Sequence, residues 1–319
     1  MKSFRTAIKA AVAAAILGVI ALRVDLSAAF GIIAGANLWV IAAAVAVSLL
    51  IIGADALFWT LSMRPVGLRM ALPAALRFGL VGWFFANIAP ANVGADIFRA
   101  AQMRYAGATT ERAIRLVAAA RLMSLAALIG VIAAGLPYAF SAFDDPADRW
   151  SLAIVFGLAV GAFAGLLLFG PSLSRIEALK RFKALDVAAG LAADLRILFA
   201  KTDGIGWLLL AAQHLFRVAG VALVAAALQV DVNLMALFAL VPAALLVAMV
   251  PLSFGGWGVR EASFVYFLGF AGVAAPAALA ISIVFGLTRI LIGAAGGAVW
   301  LSAGAKDYRF AVDQPHPEG

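Results

Sequence analysis

Two stretches of this chain share one spacing, Pro-x3-Gly-x4-Arg: Pro90, Gly94 and Arg99 in PANVGADIFRA, and Pro251, Gly255 and Arg260 in PLSFGGWGVRE. Each follows an apolar run, and each leads to another apolar run with an arginine inside it, Arg121 and Arg289. With Arg77 and Arg217, these make six arginines within or at the edge of apolar segments, against three carboxylates, Asp55, Asp96 and Glu261. A charge at membrane depth costs about 2.5–3.5 kcal/mol on insertion scales unless it is paired or faces water, so each is a functional candidate. A guanidinium fork matches a phosphate, and the arginine surplus therefore points to an anionic headgroup. The structural alternative makes ion pairs of Asp96 with Arg99 and of Glu261 with Arg260 or Arg289, with Arg77 snorkelling to the surface.

Other chemistry is poorly supplied. With no cysteine and only His214 and His316, there is no disulfide framework and no multi-histidine or cysteine metal site. No glycine-rich phosphate loop precedes a helix, so ATP-driven pumping has no motif, and no cofactor is expected. Asp96, Glu261, Ser253 and His214 could serve as base or nucleophile, but in no recognisable catalytic arrangement. His214, in AAQHLFRVAG, reads as a packed or hydrogen-bonded residue, with a proton relay beside Arg217 as the alternative.

The elements that must position these residues are membrane helices. Apolar residues make up 66% of the 319, charged residues 13%, and mean hydropathy is +1.07, which together describe an all-α polytopic membrane protein. A span needs about 20 apolar residues. Candidates lie near 7–22, 37–62, 72–89, 116–140, 150–170, 207–229, 232–250, 263–275 and 277–303. The first could be a signal peptide, but the apolar segments that follow favour a retained helix. Residues 171–205 carry apolar residues at helical spacing among charges and read as an amphipathic connector on the membrane surface. Trp39, Trp59, Trp150, Trp207 and Trp300 fall near segment ends, as an interfacial belt requires. GAAGGAVW offers small residues for close helix packing.

Lysine and arginine placement orients the chain. The net charge of +8 reflects a positive-inside bias rather than nucleic-acid binding. Both termini and residues 175–203 are expected in the cytoplasm, and 142–149 outside. If 72–89 crossed fully, Arg99, Arg104, Arg112 and Arg115 would lie outside, so a re-entrant hairpin broken at Pro90 to Gly94 is expected. A second hairpin broken at Pro251, Gly255, Gly256 and Gly258 would enter from the other side. The repeat halves, about 5–140 and 150–304, would then each hold three spans and one hairpin, making an inverted repeat within a single transmembrane domain, 1–304. Residues 305–319 are expected to be a polar cytoplasmic tail.

NIAPANVGADIFRA, AARLMSLAALIG, PLSFGGWGVREASFVY and GLTRILIGAAGGAVW resemble the transmembrane region of lysylphosphatidylglycerol synthases and their stand-alone flippase-like relatives. The resemblance runs over residues 5 to 304. It assigns Pro90, Gly94, Asp96 and Arg99 to one site element, and Gly255, Gly256, Gly258, Arg260 and Glu261 to the other. Ala95 stands where the family has a second glycine, and Trp257 where it often has a smaller apolar residue. No aminoacyl-transfer domain follows residue 304, so lipid translocation without synthesis is what the resemblance implies.

The resulting expectation is a flippase or transporter of the bacterial plasma or inner membrane, not an enzyme. It would move a lipid with an anionic headgroup through a cavity between the hairpins, bound by Arg99, Asp96, Arg260, Glu261, Arg121, Arg289 and Arg217. The alternatives are an intramembrane lipid-modifying enzyme and an accessory protein of a hopanoid or glycolipid-carrier export pathway. The expected partners are the lipid itself and enzymes of such a pathway, with no nucleic acid.

Overall fold

The structure is a computed structural model that describes residues 18–88, 93–142, 145–169, 183–249, 257–302 and 311–312. Pro90, Pro251, Gly255 and Gly256, with most of the 7–22 segment and of the 305–319 tail, lie outside the described residues.

Short polar residues at the head of apolar runs decide where several helices begin, because they accept amides that have no partner within the helix. Asp25 accepts from Ala28 N at 3.0 Å and opens α1 (Leu26–Ala34); Asn37 accepts from Trp39 N at 3.0 Å and opens α2 (Leu38–Ser62). α3 (Leu72–Ile88), α4 (Val93–Tyr105), α5 (Thr110–Ala142), α6 (Pro146–Phe169) and α7 (Lys183–Lys201) follow. Asp203 accepts from Gly206 N at 2.8 Å to open α8 (Gly204–Ala227), and Asn233 from Met235 N at 2.7 Å to open α9 (Leu234–Ala248). Gly258, with φ of 89°, precedes α10 (Val259–Gly269); α11 (Ala275–Ser302) is the last helix.

Among the described residues, four helices are long and apolar enough to cross a membrane: Leu38–Ser62, Thr110–Ser141, Gly204–Ala227 and Ala275–Ser302. The all-α membrane class therefore holds. The helices α3 and α4 pack on each other, as do α9 and α10.

Packing crosses between the two halves of the sequence. The helix α2 lies along α8, α5 along α9, and α3 along α11. In the last pair, a Cβ at Gly296 would run into the carbonyl of Leu80 and one at Gly297 into the Phe84 ring, so the small residues of GAAGG do set a close approach. The connector differs from expectation. Its helix α7 is amphipathic, but Ala192, Leu195 and Leu198 are fully buried and α7 packs on α5 and α6, so protein rather than lipid covers its apolar stripe.

Contacts sort the helix ends into two faces. On one, Arg112 Nη2 donates to Val66 O at 3.0 Å, Arg115 Nε meets Asp194 Oδ2 at 3.1 Å, and β1 (Leu68–Arg69) pairs antiparallel with β2 (Ala311–Val312) in register Leu68 to Val312. On the other, Asn37 N donates to Ala227 O at 2.8 Å, and Tyr266 OH donates to Asp148 Oδ1 at 3.1 Å.

Candidate functional site

Eight helices, α2 to α5 and α8 to α11, line one cavity of about 250 Å3. Two apolar clusters make up most of the core around it, one with Trp59, Phe78, Leu116 and Leu195, the other with Val221, Leu240, Phe264 and Ile281. The cavity wall itself is charged. It carries Asp55 from α2, Asp96 and Arg99 from α4, Arg121 from α5, Arg217 from α8, Arg260 from α10 and Arg289 from α11. Asp55, Arg121, Arg217 and Arg289 sit within the four helices long and apolar enough to cross a membrane.

The ion pairs are not those of neighbouring positions in the first half. Arg99 Nη2 bonds Asp55 Oδ2 at 2.8 Å, and Asp96 is taken by Arg121. The i,i+3 pairing of Asp96 with Arg99 is therefore corrected. Both residues stand on one short helix, but other helices lie close enough to supply better-placed partners. In the second half the sequence neighbours do pair. Arg260 Nε meets Glu261 Oε1 at 3.0 Å, Ser282 Oγ donates to the same carboxylate oxygen at 3.3 Å, and Glu261 Oε2 accepts from Gly258 N at 2.6 Å. The Arg260 guanidinium lies 4.5 Å from the Trp257 ring centroid, and a Cβ on Gly286 would overlap it. Arg260 is 3% exposed and Glu261 1%, whereas the Arg99 and Arg121 side chains are 18% and 40% exposed. Both arginines of the repeated motif reach the cavity, then, but only Arg99 offers much surface to it.

His214 Nδ1 lies 3.3 Å from Arg217 Nη1, and its Nε2 lies 2.9 Å from Ser124 O. A guanidinium can only donate, so Nδ1 must be the bare, accepting nitrogen and the proton must sit on Nε2. His214 is thus a neutral bridge that joins α8 to α5 and orients Arg217. Arg289 lies over the Trp83 ring at 5.7 Å, and its main-chain carbonyl accepts from Asn87 Nδ2 at 3.1 Å. Gln213 is 3% exposed, and its amide nitrogen has no acceptor among the described residues.

Residues 6–297 match the family described as the lysylphosphatidylglycerol synthase TM region. The chain belongs to that family. No curated protein matches it. Membership of the lysylphosphatidylglycerol synthase TM family places the chain among membrane regions tied to lipid biology. The described residues that carried the resemblance, Gly94, Asp96, Arg99, Gly258, Arg260 and Glu261, lie on α4 and at the start of α10, on or beside the cavity wall.

Several wall residues escaped the sequence reading. Trp59 was expected in an interfacial belt; it is 1% exposed, packs edge-on against Phe78 at 5.5 Å, and lines the cavity. Its position near the end of α2 suggested an interface, but Phe78 on α3 and Arg99 on α4 pack over it. Trp39 and Trp150 are exposed, as a belt requires. Arg77 is exposed and away from the cavity wall, in keeping with snorkelling. Ser124, Trp83 and Gln213 carried weak signals; the clearest was a Gln-His pair inside an apolar run. Among the described residues no cluster of three or more His, Cys, Asp or Glu could hold a metal.

Proposed function

We propose that the protein moves a lipid with an anionic headgroup between leaflets through this cavity. The carrying observation is the convergence of five arginines on one cavity enclosed by apolar helices, with Asp55, Asp96 and Glu261 as the only carboxylates among or behind them in the described residues. The resulting excess of two positive charges would be costly unless the cavity admits water or an anion.

The helix pairs support alternating access. Arg112 at the start of α5 bonds Val66 just after α2, so α3 and α4 together leave and return to the same face, as a re-entrant hairpin would. The short helices α4 and α10 both bring their N-terminal turns, through Asp96 and Arg260, to the cavity, where aligned peptide dipoles favour negative charge. We read the two halves as an inverted repeat around the site, with the tail and α7 on the cytoplasmic face.

Ser124 Oγ lies 3.3 Å from His214 Nε2, which invites an enzymatic reading. The polarity is wrong for one. A nucleophile-activating histidine accepts from the hydroxyl and donates its other N–H to a carboxylate; His214 donates from Nε2 and takes a guanidinium on Nδ1.

Purified protein in vesicles tests the reading. Fluorescent lipids should change leaflet chemically unaltered, checked by mass spectrometry of the extracted lipid. A new lipid product would replace transport with enzymology, and no protein-dependent movement of any lipid would end the proposal.

A further inference from the structure

Most hydrogen-bonding side chains on the cavity wall are charged, but Gln213 on α8 and Ser124 on α5 bring an amide and a hydroxyl to it. The two flank one imidazole: Gln213 precedes His214 in the chain, and Ser124 is the residue that His214 bonds across the helices. Gln213 is 3% exposed, and its amide nitrogen has no acceptor among the described residues. A buried amide left unpaired costs free energy that an apolar residue in the same apolar run would not. His214 Nε2 gives its proton to the Ser124 main-chain carbonyl at 2.9 Å, so Ser124 Oγ, 3.3 Å from the same nitrogen, can only accept there. The Ser124 hydroxyl therefore keeps its own hydrogen for another partner.

We infer that Gln213 and Ser124 are the specificity-determining pair of this cavity, and that they read a hydroxyl of the headgroup rather than its charge. The inference deepens the transport reading and rests on it only for the ligand being a lipid. Arginines attract phosphate lipids of every kind, so they do not choose among headgroups of equal charge. Phosphate oxygens only accept and an ammonium only donates, whereas a hydroxyl does both. A half-turn of the Gln213 amide exchanges its oxygen and nitrogen, and a hydroxyl answers either end. Ser124 then donates to the same group or to its neighbour on a polyol. The pair favours a phosphate-linked polyol over an alkyl headgroup of the same charge, because the ligand without hydroxyls leaves the buried amide unpaired.

Isothermal titration of the detergent-solubilised full chain with short-chain phosphatidylglycerol, phosphatidylinositol and phosphatidylpropanol tests the inference. All three carry a single phosphodiester charge, and phosphatidylpropanol matches the glycerol headgroup in carbon number while lacking its hydroxyls. At least one polyol lipid should bind about tenfold or more tighter than phosphatidylpropanol. Gln213→Leu should bring the polyol lipids down to the affinity of phosphatidylpropanol, leave phosphatidylpropanol bound as tightly or more so, and melt no lower than the parent without lipid. A merely structural glutamine would not give that combination. Ser124→Ala keeps the main-chain carbonyl that His214 uses; it should remove part of the preference, and it carries the test should Gln213→Leu fail to fold. Glycerol 3-phosphate as a further titrant distinguishes the source: binding equal to phosphatidylglycerol assigns the pair to a soluble polyol phosphate, and weaker binding assigns it to a lipid. No preference for either polyol lipid in the parent, or a preference that survives in folded Gln213→Leu, overturns the inference. Leaflet movement indifferent to headgroup hydroxyls would sink this inference and leave transport standing; a hydroxyl preference in binding without movement of any lipid would do the reverse.

Discussion

Asn87 and Arg289, distant in sequence, are joined by a side-chain amide donating to a main-chain carbonyl at 3.1 Å. Asn87 is the penultimate residue of α3, Arg289 lies within α11, and a Cβ on Gly293 would drive into the Asn87 amide. The bond ties the end of α3 onto a helix of the second half, at a charged wall residue.

Loss of this bond should cost about 1 kcal/mol in Asn87→Ala, the usual worth of a partly buried hydrogen bond. Gly296→Ala should cost more, about 1–3 kcal/mol, because the obstacle is the backbone carbonyl of Leu80 and cannot rotate away. Gly130→Ala, where a Cβ meets nothing within 4 Å, should be neutral or stabilising. Thermal unfolding in one detergent ranks the three, and an equal response at Gly296 and Gly130 would contradict the close α3–α11 contact.

The pairing of Arg99 with Asp55 predicts which second substitution repairs the first. Arg99→Gln strands Asp55, so Asp55→Asn should recover much of the lost stability, whereas Asp96→Asn should add a separate loss by freeing Arg121. Arg260→Gln should destabilise more than Arg99→Gln, since Glu261 is more deeply buried and would be left charged beside Ser282. A double-mutant cycle on thermal stability reads these couplings, and rescue by Asp96→Asn would restore the i,i+3 pair.

The His214 tautomer has a spectroscopic signature. With His316→Gln, nitrogen-15 histidine labelling leaves a single imidazole, which should show a protonated Nε2 and a bare Nδ1 at neutral pH. Arg217→Leu removes the donor to Nδ1 and should shift that nitrogen's resonance. A proton found on Nδ1 would mean that the ring does not hold Arg217.

Asp194, on α7 against Arg115, gives a pH test outside the spans. Burial raises its carboxyl above the usual 3.8, and the charges of Arg115 and Arg112 pull it only part of the way back. A carboxyl raised on folding binds its proton more tightly in the folded chain. Its favourable contribution is therefore complete below the unfolded value and is lost as pH rises through the folded one. Relative to Asp194→Asn, the parent should thus lose stability from about pH 4 upward, in melting curves recorded at matched ionic strength. A parent that instead gains on the variant as pH rises would show the Arg115 pair dominating burial.

Cysteines introduced singly into this cysteine-free chain can map its sidedness. Lys201→Cys should react with an impermeant reagent only from the cytoplasm, and Arg149→Cys only from outside. Labelling of both from one side would reject the orientation.

The amino-acid sequence by itself determined the membrane class and the helix runs, because hydropathy and capping are local properties that a short window of residues carries complete. It also marked Arg99, Arg121, Arg217, Arg260 and Arg289 as embedded, since an arginine in an apolar run is anomalous wherever that run ends up. Tertiary structure alone decided their partners. Whether Asp96 answers Arg99 or Arg121, whether Trp59 faces lipid or the cavity, and whether the stripe on α7 meets lipid or α5 depend on which helix faces which. That is settled by close approaches such as Gly296 on Leu80, between residues far apart in the chain.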